Sequence, residues 1–165
     1  MRGTVLTLRG VMPALLTPFD ERGAVNEPVA RELVDRLVAA GVNGFYVCGG
    51  TGEGLLLTPA ERKRMAEIVV DQVAGRVPVV IHVGAIDTAT AVDLAAHARA
   101  IGADAVSAIP PFYYALDVAA IKEHYRLIGE AARLPLYIYN IPDATGVAVT
   151  PEMLVEFMQM EWLRG

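Results

Sequence analysis

Strand-sized apolar runs alternate with amphipathic stretches of helical period along the whole chain, and this alternation limits the possible folds more than any other feature. The apolar runs fall at 10–16, 44–48, 78–83, 105–109 and 136–140, and helical patterns follow at 27–40, 58–73, 89–101, 118–132 and 150–158. Val79-Val80-Ile81 and Leu136-Tyr137-Ile138 are apolar at consecutive positions, so both faces of those strands are buried, as in a parallel sheet covered by helices. Such alternation specifies the α/β class. The helix boundaries carry their own chemistry. Thr58-Pro59-Ala60-Glu61 reads as a capping box with proline at the first helical position, and Thr150-Pro151 repeats the cap. Gly41, Gly75 and Gly102 close the first three helices. Residues 161–165 read as the start of a sixth strand.

Length makes the topology a question. The 165 residues read as one domain, 1–165, with no linker or low-complexity tract. A βα unit takes about 30 residues, which allows about five units. Five suit a doubly wound flavodoxin-like sheet. They are three short of a (β/α)8 barrel, which takes about 250 residues. Composition removes other classes. With 54% hydrophobic and 20% charged residues, the chain is not disordered. A net charge of −5, with no basic block longer than Arg62-Lys63-Arg64, argues against a nucleic-acid partner. The single cysteine, Cys48, cannot form an intrachain disulfide, and the expected location is cytoplasmic. The amino terminus does not read as a signal peptide, and no run approaches the 18 apolar residues or so of a membrane span, so no membrane partner is expected.

Three segments can carry chemistry. Cys48-Gly49-Gly50-Thr51-Gly52-Glu53-Gly54 follows the second run, where parallel α/β folds place their site loops. Small residues in succession let backbone amides converge on an anion, and the alternative is a plain tight turn. Tyr137 and Tyr139 share one face of the fifth run with Ile141; a tyrosine at a strand's carboxyl end can relay a proton or simply fill the core. Pro110-Pro111-Phe112-Tyr113-Tyr114 is either a stiff aromatic loop or one that presents a tyrosine to a neighbour. His82, His97 and His124 lack metal-ligand spacing and read as structural, Cys48 reads as a small buried residue, and no metal or cofactor is expected.

Taken in order, 10–19 (Gly-Val-Met-Pro-Ala-Leu-Leu-Thr-Pro-Phe), Gly49-Gly50-Thr51-Gly52-Glu53, Pro111-Phe112-Tyr113-Tyr114 and Tyr139-Asn140-Ile141-Pro142 with Thr145-Gly146 resemble the dihydrodipicolinate synthase / N-acetylneuraminate lyase family over the whole chain. The resemblance implies a (β/α)8 TIM barrel, here its first five βα units plus the start of strand six. It implies a homotetrameric class I aldolase acting on pyruvate or another 2-oxo acid through a Schiff base, by reversible carbon–carbon cleavage or a related dehydration. It gives Gly50 and Thr51 the substrate carboxylate, Tyr139 the proton transfer, and Tyr113, less directly, a reach into a neighbouring subunit's site.

Three positions depart from the family's pattern. The Schiff-base lysine of the sixth strand falls two residues beyond Gly165, and the lysines present, Lys63 and Lys122, lie on helices; the expectation is that these 165 residues form no imine alone. Gly50 replaces a hydroxyl residue. Ala144 stands where dihydrodipicolinate synthases carry an arginine, which argues against a role in lysine synthesis, and Phe112-Tyr113-Tyr114 and Asn140-Ile141-Pro142 read closer to the N-acetylneuraminate lyase branch. The competing readings are a non-catalytic doubly wound module and a half-barrel kept for assembly. A phosphoacceptor domain would need acids where Thr17-Pro18 and Val83-Gly84 stand.

Overall fold

The computed structural model describes residues 8–165. Four strands, β1 (Phe45–Val47), β2 (Val79–His82), β3 (Ala105–Ala108) and β4 (Leu136–Ile138), form one parallel sheet in chain order. Helices α1 (Glu27–Ala39), α2 (Pro59–Val73), α3 (Thr88–Ala100) and α4 (Val118–Ala132) alternate with them, followed by a short turn of helix, α5 (Pro142–Thr145), and by α6 (Pro151–Phe157). The pairings Tyr46 to Val80, His82 to Ser107 and Ser107 to Tyr137 set the register. No strand order reverses, so the sheet has none of the switch points of a doubly wound fold. It is the curling sheet of a partial (β/α)8 barrel.

The first and last apolar runs are weaker than the pattern predicts. Residues 10–16 make a single parallel bridge, Ala14 to Tyr46, in place of a full strand. Leu15 N–H donates to Tyr46 O at 2.9 Å and Tyr46 N–H to Pro13 O at 3.1 Å. Pro13 has no N–H to give, which limits the ladder. Residues 162–165 likewise make one bridge, Leu136 to Leu163, with Leu136 N–H on Trp162 O (2.8 Å) and Arg164 N–H on Leu136 O (2.9 Å). Six parallel positions thus run side by side.

The helices start as the capping residues require. Thr58 and Glu61 form the reciprocal capping box of α2, and Asn26, Asp87, Asp117 and Thr150 cap α1, α3, α4 and α6. Gly41 and Gly102 sit just past their helices with positive φ, but α2 turns left-handed one residue earlier, at Ala74 (φ 47°), before Gly75 continues it. Phe45, Val47, Ile81, Val106 and Leu136 face the helices and join Met65, Ile68, Tyr125 and Ile128 in one buried cluster. The opposite strand face carries Tyr46, Val80, Ser107 and Tyr137 around a cavity of about 450 Å³. Burial on the helix side therefore leaves the polar and phenolic side chains turned inward.

Candidate active site

The loop after β1 is held by contacts that tolerate only glycine at two places. A Cβ on Gly52 would sit 2.7 Å from Leu15 O, and one on Gly54 only 1.8 Å from Cys48 O. Cys48 (φ 58°) and Glu53 (φ 55°) take the left-handed conformation to close the turn, although neither is glycine. Glu53 N–H donates to Gly50 O (3.0 Å), Gly54 N–H to Gly49 O (3.1 Å), and the Thr17 hydroxyl to Gly52 O (2.6 Å). These bonds fix the loop and leave Gly50 and Thr51 lining the large cavity. Nothing stands within 4 Å of a Cβ built on Gly50, so its missing side chain is not a steric requirement.

Tyr139 forms the opposite wall. It lines the large cavity together with Gly50 and Thr51, and also a second, more apolar cavity of about 260 Å³ bounded by Leu55, Leu56, Phe112, Ile141 and Ala144. Its ring meets Tyr46 and His82 edge-on, with centroids 6.0 Å away in both cases. Asn140, its neighbour, clamps the following loop: its amide donates to Val149 O at 3.1 Å and its carbonyl accepts from Val149 N–H at 3.0 Å.

Four residues of this neighbourhood, Tyr46, Ser107, His82 and Arg62, were not among the site residues expected from sequence, and His82 was read there as structural. The Tyr46 hydroxyl donates to Ser107 Oγ at 3.1 Å, and burial pushes its phenol well above the ordinary tyrosine value. His82 is buried, and burial, then the Arg62 charge, lowers its pKa to about 3; it is neutral. Its Nδ1 lies 3.1 Å from Cys48 O, which can only accept, so the proton sits on Nδ1 and Nε2 accepts from Ile109 N–H at 3.4 Å. Arg62, the first residue of the basic triplet, is buried against the carbonyls of His82 (2.8 Å) and Gly84 (2.9 Å). The strand alternation that exposes Tyr46, His82 and Ser107 inward was available as a signal, since each lies at an inward register position.

Other candidates stay apart. Tyr113 is 81% exposed with φ 78°, stacked edge-on against Tyr114 and outside both cavities. Lys63 and Lys122 pair with Asp93 and Glu156 on the helices, each at 2.6 Å. Cys48 is buried, its thiol pushed up to about 11 by burial. His97 bonds Glu67 at 2.9 Å and His124 bonds Thr88 at 2.9 Å, both on the helical layer.

A cavity on the inner face of successive parallel strands, lined by the loop after β1 and by the phenols of Tyr46, Tyr137 and Tyr139, fits an aldolase-type (β/α)8 barrel, of which this chain forms part. The sequence bears this out independently. The chain belongs to the dihydrodipicolinate synthetase family, whose model matches residues 7–165. It is 43% identical over 148 residues to an N-acetylneuraminate lyase of Escherichia coli, covering 89% of this chain and 50% of that protein. Among solved structures, CdNal from Clostridium difficile in complex with mannosamine superposes with a TM-score of 0.93 at 35% identity, over 97% of this chain and 56% of that one. YagE, a prophage protein of the dihydrodipicolinic acid synthase family from E. coli in complex with pyruvate, gives 0.88 at 32% identity, over 91% and 50%. The chain spans about half the length of the relatives it matches.

Proposed function

We propose that this chain supplies the 2-oxo acid side of a Schiff-base lyase of the N-acetylneuraminate lyase kind, with residues 1–165 as the amino-terminal part of a single barrel domain. The observation that carries the reading is the meeting of Gly50, Thr51 and Tyr139 on one cavity. Loop amides suit a carboxylate. A phenol across the cavity suits proton transfer at the adjoining carbon centre. Pyruvate in the YagE complex and mannosamine in the CdNal complex support a 2-oxo acid and a sugar-derived partner respectively. In the proposed order, Gly50 and Thr51 hold the carboxylate, a lysine amine condenses with the 2-oxo group, and Tyr139 takes the hydroxyl proton of the leaving carbon as the carbon–carbon bond breaks. The bonding pair passes into the iminium, whose formation released water, to leave an enamine; the aldehyde departs, and protonation of the enamine carbon followed by hydrolysis frees the 2-oxo acid and the lysine amine.

Register supports a place for the lysine. Ile138 N–H donates to Gly165 O at 2.7 Å, so a strand continuing beyond Gly165 in that direction runs beside Tyr139. Ala144 supplies no cation for a second carboxylate, and Glu53, which lines the same cavity, would repel one, which favours an uncharged, hydroxylated partner. The exposed Tyr113 suits a contact with another subunit of a homo-oligomer, and the lone buried cysteine suits a reducing, cytoplasmic setting.

The test is borohydride reduction in the presence of pyruvate, read by mass spectrometry. The 165-residue chain is expected to stay unmodified, while a chain extended through the sixth strand gains the reduced adduct on the new lysine. An adduct on Lys63 or Lys122, or none on the extended chain, contradicts the reading.

A further inference from the structure

Among the described residues, no anion stands beside the buried cation of Arg62. It is only 4% exposed, its Nη atoms donate to two backbone carbonyls, and its Nε has no partner among the described residues. The ionisable groups around its guanidinium are Cys48, Tyr46 and the His82 ring, none of them an anion at ordinary pH. Its neighbours on α2 behave differently: Lys63 pairs with Asp93, and Arg64 with Glu27 and Glu67. A guanidinium taken out of water without a counter-charge is strongly unfavourable, so an anion that reaches its vicinity gains what the protein itself has left unmatched.

The contacts of Arg62 lead to the glycine-rich loop. It holds the His82 carbonyl, the His82 ring bonds the Cys48 carbonyl, and the Cys48 thiol returns to the Arg62 carbonyl at 3.8 Å. Cys48 is the residue from which Gly49, Gly50 and Thr51 continue. His82, whose carbonyl Arg62 holds, lines the second cavity together with Gly49 and Gly50, and in a protein interior a charge is weakly screened. We propose that Arg62 is a positioning residue whose buried charge makes the Gly50–Thr51 loop select a carboxylate over a neutral group of the same shape. This rests on the carboxylate reading of the loop given above.

The test compares pyruvate with pyruvamide, which replaces the carboxylate by a neutral amide. Binding to the 165-residue chain is followed by the amide chemical shifts of Gly50 and Thr51. The native chain is expected to prefer pyruvate. In Arg62→Gln the pyruvate affinity is expected to fall roughly tenfold while pyruvamide changes less than about twofold. Arg62→Lys keeps the charge without the two-carbonyl fork and is expected to restore the preference even if both affinities drop. Equal weakening of both ligands in Arg62→Gln, or a lost preference in Arg62→Lys, overturns the proposal and leaves Arg62 a packing residue. If Arg62→Gln does not fold, Arg62→Lys decides alone by the same ratio. A native chain whose Gly50 and Thr51 amides ignore pyruvate overturns the carboxylate reading itself, and this inference with it.

Discussion

His82 and His124 are kept neutral in the interior by burial, with pKa values near 3 and 4 against an ordinary 6.5. Both folded values lie below the unfolded one, so unfolding takes up protons as the pH falls below about 6.5. The stability they contribute is complete above that pH and declines on acidification. Each bound proton is worth about 1.4 kcal/mol per pH unit in the window. The denaturant midpoint is therefore expected to fall between about pH 6.5 and about pH 5, where the lowered carboxylates of Glu27, Glu61 and Asp87 remain ionised. Replacing His124 with Asn should flatten that slope; an unchanged slope contradicts the assignment. The loop glycines give a second prediction at this scale. Gly50→Ser meets open space and should leave stability within about 0.5 kcal/mol, whereas Gly54→Ala drives a methyl into the Cys48 carbonyl and should cost more than about 2 kcal/mol. Urea titrations of the two variants separate these outcomes.

Among the elements, α2 shows what local chemistry can specify. Thr58 N–H and Oγ1 both donate to Glu61 Oε2 (2.8 and 2.7 Å), and Glu61 N–H donates back to Thr58 Oγ1 at 3.3 Å. Thr58→Ala removes the hydroxyl side of this box, and about 1 kcal/mol should be lost in chemical denaturation, while Thr58→Ser should lose little. This helix start was legible because its partners lie three residues apart. The strand cores were legible for a similar reason, since apolar runs such as Val79-Val80-Ile81 carry their own signal. The ladders at 10–16 and 161–165 were not, because a ladder depends on partners: each has a named strand on one side only among the described residues, and Pro13 withholds a donor. The four-residue α5, built on Pro142, was also missed; a single turn has no period to detect. Gly50, Thr51 and Tyr139, which line one cavity, were singled out through motifs, but Arg62 was hidden inside a basic triplet that looks solvated. Only the packing of α2 on β2 separates Arg62 from Lys63 and Arg64.

At the scale of the whole molecule, the sheet is the part that remains open. Residues 11–15 and 162–165 pair on one side only, so their outer N–H and C=O groups face no described strand. Val11 is 66% and Leu16 57% exposed at the first edge. The inward face, with Met12, Tyr46, Val80 and Tyr137, borders a broad cavity that no described element crosses. Unpaired edges beside apolar surface are templates for association. The 165-residue chain is therefore expected to self-associate, with a weight-average mass in sedimentation equilibrium that rises with concentration. Supplying the rest of the barrel, either as an extension of the chain or as a separate carboxy-terminal half, should suppress this by covering both edges at once. Charge placed on one edge, as in Val11→Lys, should weaken association of the 165-residue chain without changing its helical signal. A monomer at every concentration tested contradicts the argument. It would mean that the two edges and the inner face find partners within one molecule, and that this part of the barrel closes by itself.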